Sequence, residues 1–445
     1  MHSDMRKTRI GILLLLVFLT ASACFRDDNF APGSGSSSAV EVTPSRSVSQ
    51  EVRRVMILVS AGYNSLSTYL TEDIQELSDG SGLPQGKNRS TDVLMVLSRL
   101  PKSTGDYNTE SAPVLFRMYK DADGQVVRDT LLRWSGTTPL ASTATLAEAL
   151  EFIRDRFPAK SYGMVFSSHA SGWLPVGYYD DPSKFESSLQ QQPGSRSLRA
   201  WNPAATVFPA LDPYPAVKSI GQDKMGTKTA SEMELKAFVE AIPMQLDYLL
   251  FDACLMGCVE VAYALRDKAA VVGFSQTEVL ADGFDYTTIA SKLLGPEPNP
   301  IAVCRDYYAQ YENASDYPCA TVSVIYPNKM DQLAAVCKEL FAKYRTTIRL
   351  LPGNRVQGYF RFDRHYFYDL QDILQKAGMT DAENERLQAA LDACIAYKAA
   401  TPTFLSIQIQ RFCGLSMYLP SMGTDFLDGF YRDNMAWNTA TQLVL

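Results

Sequence analysis

Short, wholly apolar runs recur between amphipathic stretches along most of this chain, and that alternation restricts the fold more than any other feature. Val55-Met56-Ile57-Leu58-Val59 is such a run, as are residues 93–97, Met164-Val165-Phe166, residues 246–251 and residues 270–274. A strand that is apolar on both faces must be covered on both faces, and the intervening segments carry the helical periodicity to do it. Residues 66–77, residues 145–156 with Leu146, Leu150 and Ile153 on one side, and residues 256–268 read as those helices. Leu235, Phe238, Val239 and Ile242 add another with i, i+3, i+4, i+7 spacing, stopped by Pro243 and preceded by Ser231-Glu232-Met233-Glu234, which reads as a capping box. The expectation is an α/β fold with a mostly parallel sheet flanked by helices. Phe116-Arg117-Met118-Tyr119 and Gln125-Val126-Val127, joined through Asp121-Ala122-Asp123-Gly124, read as a β-hairpin.

Beyond Pro300 the pattern turns helical, at residues 331–344, 369–376 and 381–399. Two strands, at 321–327 and 414–420, punctuate it and are expected to extend the sheet. This divides the chain into a main domain over 52–330 and a mainly helical C-terminal subdomain with a returning strand over 331–445. Residues from about 180 to 229 break the rhythm. They are rich in Ser, Gln, Pro, Gly and basic residues, and the stretch is far longer than an ordinary connection.

The N-terminus reads as an address. Arg6, Lys7 and Arg9 precede the apolar run GILLLLVFLT, which is too short to span a bilayer, where ~20 residues are needed. The run ends in Ala21-Ser22-Ala23-Cys24, small residues before a Cys, which resembles a bacterial lipobox. Residues 1–23 are then a lipoprotein signal peptide, Cys24 is the acylated residue, and the Ser-, Gly- and Pro-rich stretch up to residue 51 is a flexible tether. The acidic tract Phe25-Arg26-Asp27-Asp28 resembles surface-export signals, so the expected location is the envelope of a Gram-negative bacterium, at the outer membrane or cell surface. A net charge of -7 and pI near 5.2 exclude nucleic acid as a main partner.

Seven cysteines follow Cys24, scattered and without a CxxC, and only His169 and His365 remain for any histidine chemistry beyond the signal. His169 and Cys254 each lie just past the C-terminal end of an expected strand, the edge where open α/β sheets collect reactive groups. A helix starting at Met256 would help to stabilise a Cys254 thiolate, and an imidazole would accept its proton. His365, among aromatic residues, reads as packed core, and Cys258 as a small buried hydrophobe within one helical turn of Cys254. No cluster has zinc-ligand spacing and no phosphate loop is present, so no metal or cofactor is expected. The Asp121-Ala122-Asp123-Gly124 segment is too short for a calcium loop.

Phe166-Ser167-Ser168-His169-Ala170-Ser171-Gly172-Trp173 resembles the His motif of the clostripain family of cysteine peptidases. Leu250-Phe251-Asp252-Ala253-Cys254-Leu255-Met256, continuing to Glu260, resembles its Cys motif, and VMILVSAGYNSL with residues 414–420 is similar to its first and late strands. The resemblance implies a caspase-like fold, a Cys254/His169 dyad and hydrolysis after Arg or Lys. It implies an oxyanion hole from the backbone N–H groups of Cys254 and Ala170, where the family usually carries Gly after the His. Asp252 would sit in the substrate pocket with Asp282 as a second carboxylate, and Ser275 and Gln276 would line the cleft. The loop between the dyad residues, with Lys184, Arg196, Arg199, Lys218, Lys224 and Lys228, would be where the zymogen cuts itself. Partners would be protein or peptide substrates and a membrane, with the protein a monomer. The rival reading is a non-catalytic surface lipoprotein that uses the fold to bind peptides or glycans. A third is a peptidase without basic preference.

Overall fold

The computed structural model describes residues 38–42, 52–87, 91–103, 109–179, 181–186, 220–225, 229–313, 318–361 and 365–445. The expected signal peptide (residues 1–23), Cys24 and most of the expected tether and long loop, including Arg196, Arg199, Lys218 and Lys228, lie outside these residues. In chain order the strands are β1 (Val40–Glu41), β2 (Val52–Ala61), β3 (Asp92–Arg99), β4 (Val114–Lys120), β5 (Val126–Arg133), β6 (Ala159–Ser167), β7 (Ile220–Met225), β8 (Thr229–Met233), β9 (Leu246–Asp252), β10 (Ala269–Phe274), β11 (Thr321–Ile325), β12 (Tyr368–Asp369), β13 (Ile395–Ala400), β14 (Thr403–Phe404), β15 (Ile407–Gln408) and β16 (Ser416–Met417). The α-helices are α1 (Ser67–Asp79), α2 (Thr143–Arg156), α3 (Ser183–Glu186), α4 (Leu235–Glu240), α5 (Val259–Ala264), α6 (Tyr286–Leu293), α7 (Pro300–Glu312), α8 (Met330–Ile348), α9 (Leu370–Lys376), α10 (Asp381–Cys394), α11 (Asp425–Asn434) and α12 (Ala436–Thr441).

A 10-stranded sheet in the order β1-β5-β4-β3-β2-β6-β9-β10-β11-β13 forms the centre. Strands β3, β2, β6, β9 and β10 pair in parallel, and the strands outside them on both flanks pair antiparallel. The apolar runs explain the layering. On β2, Val55, Ile57 and Val59 enter the core under α2, α4, α5, α8, α9 and α10, whereas Met56 and Leu58 enter the core under α1, α6 and α7. Residues 38–445 constitute one compact unit.

Several local expectations give way to tertiary context. Residues 395–400 form strand β13 on the sheet edge rather than the end of a helix. Residues 416–417 pair with β12 in a small separate sheet, so the returning strand does not extend the main one, whereas β11 does. No capping box forms at residue 231: Ser231 lies in β8, its hydroxyl donates to the Ala141 carbonyl, and Glu234 accepts from the Val176 amide. The Asp121 hairpin is present, with its carboxylate accepting from the amides of Asp123 and Gln125. All seven cysteines beyond Cys24 are free. Among the described residues no helix is long and apolar enough to cross a membrane.

The long connection is not uniformly loose. Lys184 lies in the short helix α3, and Lys224 in the β7–β8 hairpin, where its amide donates to the Tyr63 carbonyl. This hairpin is anchored by an ion pair with almost no exposure, Arg99 Nη1 to Asp223 Oδ2 at 3.0 Å. Asp223 also accepts from the Leu140 and Ala141 amides, and Arg99 donates to the carbonyls of Ser111 and Gly136 and lies over the Tyr63 ring. Removing one partner strands the other charge in the interior. Asp223→Ala is expected to lower unfolding free energy by about 3–5 kcal/mol in urea titration, far more than a surface pair would.

Candidate active site

Strand order reverses direction at β2, from which β3 lies on one side and β6, β9 and β10 follow on the other. Connections leaving in opposite directions open a crevice at the carboxyl ends of the strands, and the candidate residues gather there. Ser65 follows β2, His169 follows β6 and Cys254 follows β9. Strands β6 and β9 are parallel and pair Phe166 with Phe251 and Ser167 with Asp252. His169 and Cys254 each stand two residues beyond that last pair, so the register places them abreast on one edge.

The two loops touch. Gly172 has φ +62°, and a Cβ there would meet the Leu255 carbonyl oxygen at 2.8 Å, so the His loop closes on the Cys loop only without a side chain. Asn64, fully buried, ties the same corner together. Its amide group donates to the carbonyls of Ala61 and Gln222 at 2.8 and 2.7 Å and its oxygen accepts from the Leu66 amide. The Ser168 hydroxyl donates to the Ala61 carbonyl and accepts from the Gln222 amide. Strand β7 runs alongside, with the Gly221 amide donating to the His169 carbonyl. These bonds fix the backbone on either side of the imidazole, whose Nε2 is hydrogen-bonded to Ser65 Oγ at 2.9 Å.

The Cys254 thiol is turned to the chain beyond β10, where its sulfur accepts from the Val279 amide at 3.3 Å and faces the Val279 carbonyl at 3.7 Å. Burial pushes its pKa up to about 12, with the Glu278 and Asp252 carboxylates adding to the rise and the Val279 amide and Arg361 opposing it. Glu278 is itself buried and pairs with Arg361 Nε at 3.0 Å. Helix α5 begins at Val259, so Cys254 is not at its start and the expected help from a helix beginning at Met256 is lost. Instead Leu255 adopts φ 60°, a strained conformation for a branched residue, held by its amide donating to the Thr277 carbonyl. Cys258 is buried just ahead of α5 and not one helical turn from Cys254.

The amides of Ala170 and Cys254 donate to no acceptor among the described residues. Ala170 is absent from the residues with positive φ, so Ala stands there without strain where the family usually has Gly.

Asp252 is buried beside the thiol. Its Oδ2 accepts from the Tyr286 hydroxyl at 3.0 Å and the Phe284 amide at 3.4 Å. Burial raises its pKa to about 6 against the opposing pull of Tyr286, Phe284 and Ser167. Gly283, at φ +55°, lets the backbone pass close: a Cβ there would lie 2.4 Å from Asp252 Oδ2. Asp282 is exposed next to it, and its charge reaches Asp73 on α1.

Other sequence expectations resolve differently. Ser275 and Gln276 do not line the cleft, because both are buried and turned inward. Ser275 bonds the hydroxyls of Thr277 and Thr321, and Gln276 donates to Ser323 and to the Gly414 carbonyl. His365 is half-buried against the Tyr368 ring rather than fully packed core. Ser65, Asp73, Val279 and the Glu278–Arg361 pair were not legible as site residues. The Asn-x-Leu ending around Ser65 was the only local signal for any of them.

The family model for the clostripain family matches residues 59–184 and 202–421. Among solved structures, an inactive zymogen C11 protease from Parabacteroides distasonis is 24% identical with TM-score 0.69, covering 88% of this chain and 99% of that one. A secreted C11 cysteine protease from Bacteroides thetaiotaomicron, solved with an irreversible peptide inhibitor, is 22% identical with TM-score 0.66 and the same coverage. No curated protein sequence matches the chain. The mixed, mostly parallel sheet flanked by helices is the caspase-like fold that such proteases have. With the family model spanning both candidate loops, the chain belongs to the clostripain family of cysteine peptidases.

Proposed function

We propose that the protein is an endopeptidase that cleaves after Arg or Lys, with Cys254 as nucleophile and His169 as general base and acid. One observation carries the specificity: the buried Asp252 carboxylate near the thiol has hydroxyl and amide partners and no cation among the described residues. A basic P1 side chain supplies that cation. His169 takes the thiol proton, the thiolate attacks the scissile carbonyl, and the resulting oxyanion is received by the amides of Ala170 and Cys254. The imidazolium returns the proton to the leaving amine, and a water activated by His169 then hydrolyses the thioester.

In the conformation described, the thiol rests on Val279 and Nε2 on Ser65. A thiol turned to the Val279 amide and disfavoured as thiolate by burial supports reading this arrangement as a resting state. Catalysis needs the thiol and imidazole to swing toward each other. Self-cleavage between Cys254's own loop and His169, within the part of the connection outside the described residues, is the proposed trigger. The pairing of Lys224 in the β7–β8 hairpin argues against a cut there. The N-terminal Cys24 is proposed as the lipid-anchoring residue that holds the enzyme on the envelope.

With fluorogenic peptides differing only at P1, wild type is expected to turn over Arg and Lys and to reject neutral residues, while Cys254→Ala turns over none. Asp252→Asn should cost ~10–100-fold in kcat/KM on basic peptides. The Cys254→Ala protein, purified without other proteases, should remain one chain while wild type becomes two; a cut mutant sinks the self-cleavage reading. The ratio of kcat/KM for Arg over citrulline should fall as pH drops through about 6, because protonated Asp252 no longer attracts the guanidinium. A ratio flat from pH 5 to pH 8 would remove Asp252 from the pocket. Replacing Cys24 by Ser should move the protein from the membrane to the soluble fraction of cell lysates; continued sedimentation with membranes refutes the anchor.

A further inference from the structure

We infer that Asp73 is a second carboxylate of the P1 pocket, acting with Asp252 to bind a guanidinium in preference to an ammonium. The inference rests on the reading that this pocket takes a basic side chain. Helix α1 starts at Ser67, directly after Ser65 at the carboxyl edge of the sheet, and packs against α6. Asp73 lies on its buried side at 6% exposure. One turn further on, the Glu76 carboxylate lies against the Tyr286 amide, and the Tyr286 hydroxyl donates to Asp252. Tyr286 thus bridges the helix that carries Asp73 and the strand that carries Asp252.

Asp73 has no hydrogen bond or ion pair from any side chain among the described residues. The groups facing it are all acidic or phenolic: Glu72 and Glu76 from its own helix, Asp252 from β9, Asp282 from the following loop, Tyr286 from α6 and Tyr311 from α7. The Tyr307 hydroxyl, at 1% exposure, lacks a hydrogen-bond partner and feels both Asp252 and Cys254. A buried carboxyl without donor or counter-charge is costly, and so is a buried hydroxyl left unpaired. Such groups collected beside a nucleophile mark a place where the missing partner arrives as ligand. Burial first, then Asp252, pushes the Asp73 pKa up to about 9, whereas Asp252 stays near about 6. Empty, the two buried carboxyls disfavour double ionisation and hold a surplus proton between them. A guanidinium, with five donors in a planar fork, can bridge two carboxylates from different elements, which the compact ammonium of lysine does less well. When it enters, that proton is released to solvent and both carboxylates are charged.

The test uses self-processed wild type, Asp73→Asn and Asp252→Asn with peptides that differ only in Arg, Lys or citrulline at P1. Asp73→Asn is expected to lower kcat/KM by ~10–100-fold for the Arg peptide, by less for Lys, and to leave citrulline within a few-fold. Unchanged Arg-to-citrulline and Arg-to-Lys ratios in Asp73→Asn overturn the inference while leaving the basic pocket intact. A wild type that does not distinguish Arg from citrulline removes the basic pocket itself, and this inference with it. A carboxyl whose folded pKa exceeds its unfolded value weakens the fold as pH rises above the unfolded value, so at neutral pH Asp73→Asn should unfold at the same temperature as wild type or higher. Earlier unfolding assigns Asp73 to the scaffold and also overturns the proposal. As an independent readout, Cys254→Ala binding an Arg-terminated peptide at pH 7 should release about one proton, seen as buffer-dependent calorimetric heat. Adding Asp73→Asn should abolish that release, and persistence of the release counts against Asp73.

Discussion

The parallel pairing of β6 with β9 governs the rest of the site, because the two proposed partners, His169 and Cys254, each follow one of these strands. Hydrogen bonding from Gly163–Tyr248 to Ser167–Asp252 leaves no freedom in how far His169 and Cys254 project beyond the sheet. Parallel strands are apolar on both faces and covered on both, so a slip in register would expose a row of core side chains to the wrong layer. Core packing far from the reacting atoms therefore sets their alignment.

Beyond that edge, polar bonds replace packing. Asn64, Ser168 and Gln222 knit the ends of β2 and β6 to β7, and the Arg99–Asp223 pair pins β7 from its other side. The segment after the long connection is thus bound into the core, whichever way the connection itself runs. On the cysteine side, the left-handed Leu255 and the amide bonds from Leu255 to Thr277 and Gly257 to Ser275 hold the nucleophile loop against the chain leaving β10. The same chain carries Val279, which occupies the thiol, and Glu278, whose charge disfavours the thiolate. Restraint of the thiol and support of its loop both come from residues 275–279, in which Ser275 and Gln276 are buried scaffold.

The carboxylates near the thiol show the opposite balance. Its polar groups are under-supplied with donors, and its acids are pushed apart in acidity by burial and mutual repulsion. Structural carboxylates elsewhere in the molecule, such as Asp223 and Glu278, have an arginine each. Asp252 and Asp73 have none among the described residues, and under the proposed reading a basic substrate side chain supplies that charge.

Much of this was legible beforehand. Apolar runs located all five central parallel strands, since burial on both faces leaves few sequence options, and the positions of His169 and Cys254 after two of them followed directly. The misreadings share one cause. Residues 395–399, the capping box at Ser231 and the helix from Met256 were each judged on local pattern, and each was overruled by contacts from elsewhere in the chain: β11 recruiting β13, Ala141 taking the Ser231 hydroxyl, and residues 275–277 holding 255–257 in a non-helical loop. By itself, then, the sequence determined the layered sheet and the edge at which His169 and Cys254 both stand, because those depend on which side chains tolerate burial. Only the tertiary structure decided the state of the thiol, the hydroxyl on the imidazole and the company Asp252 keeps, because acidity and hydrogen bonding depend on neighbours that are not adjacent in the chain.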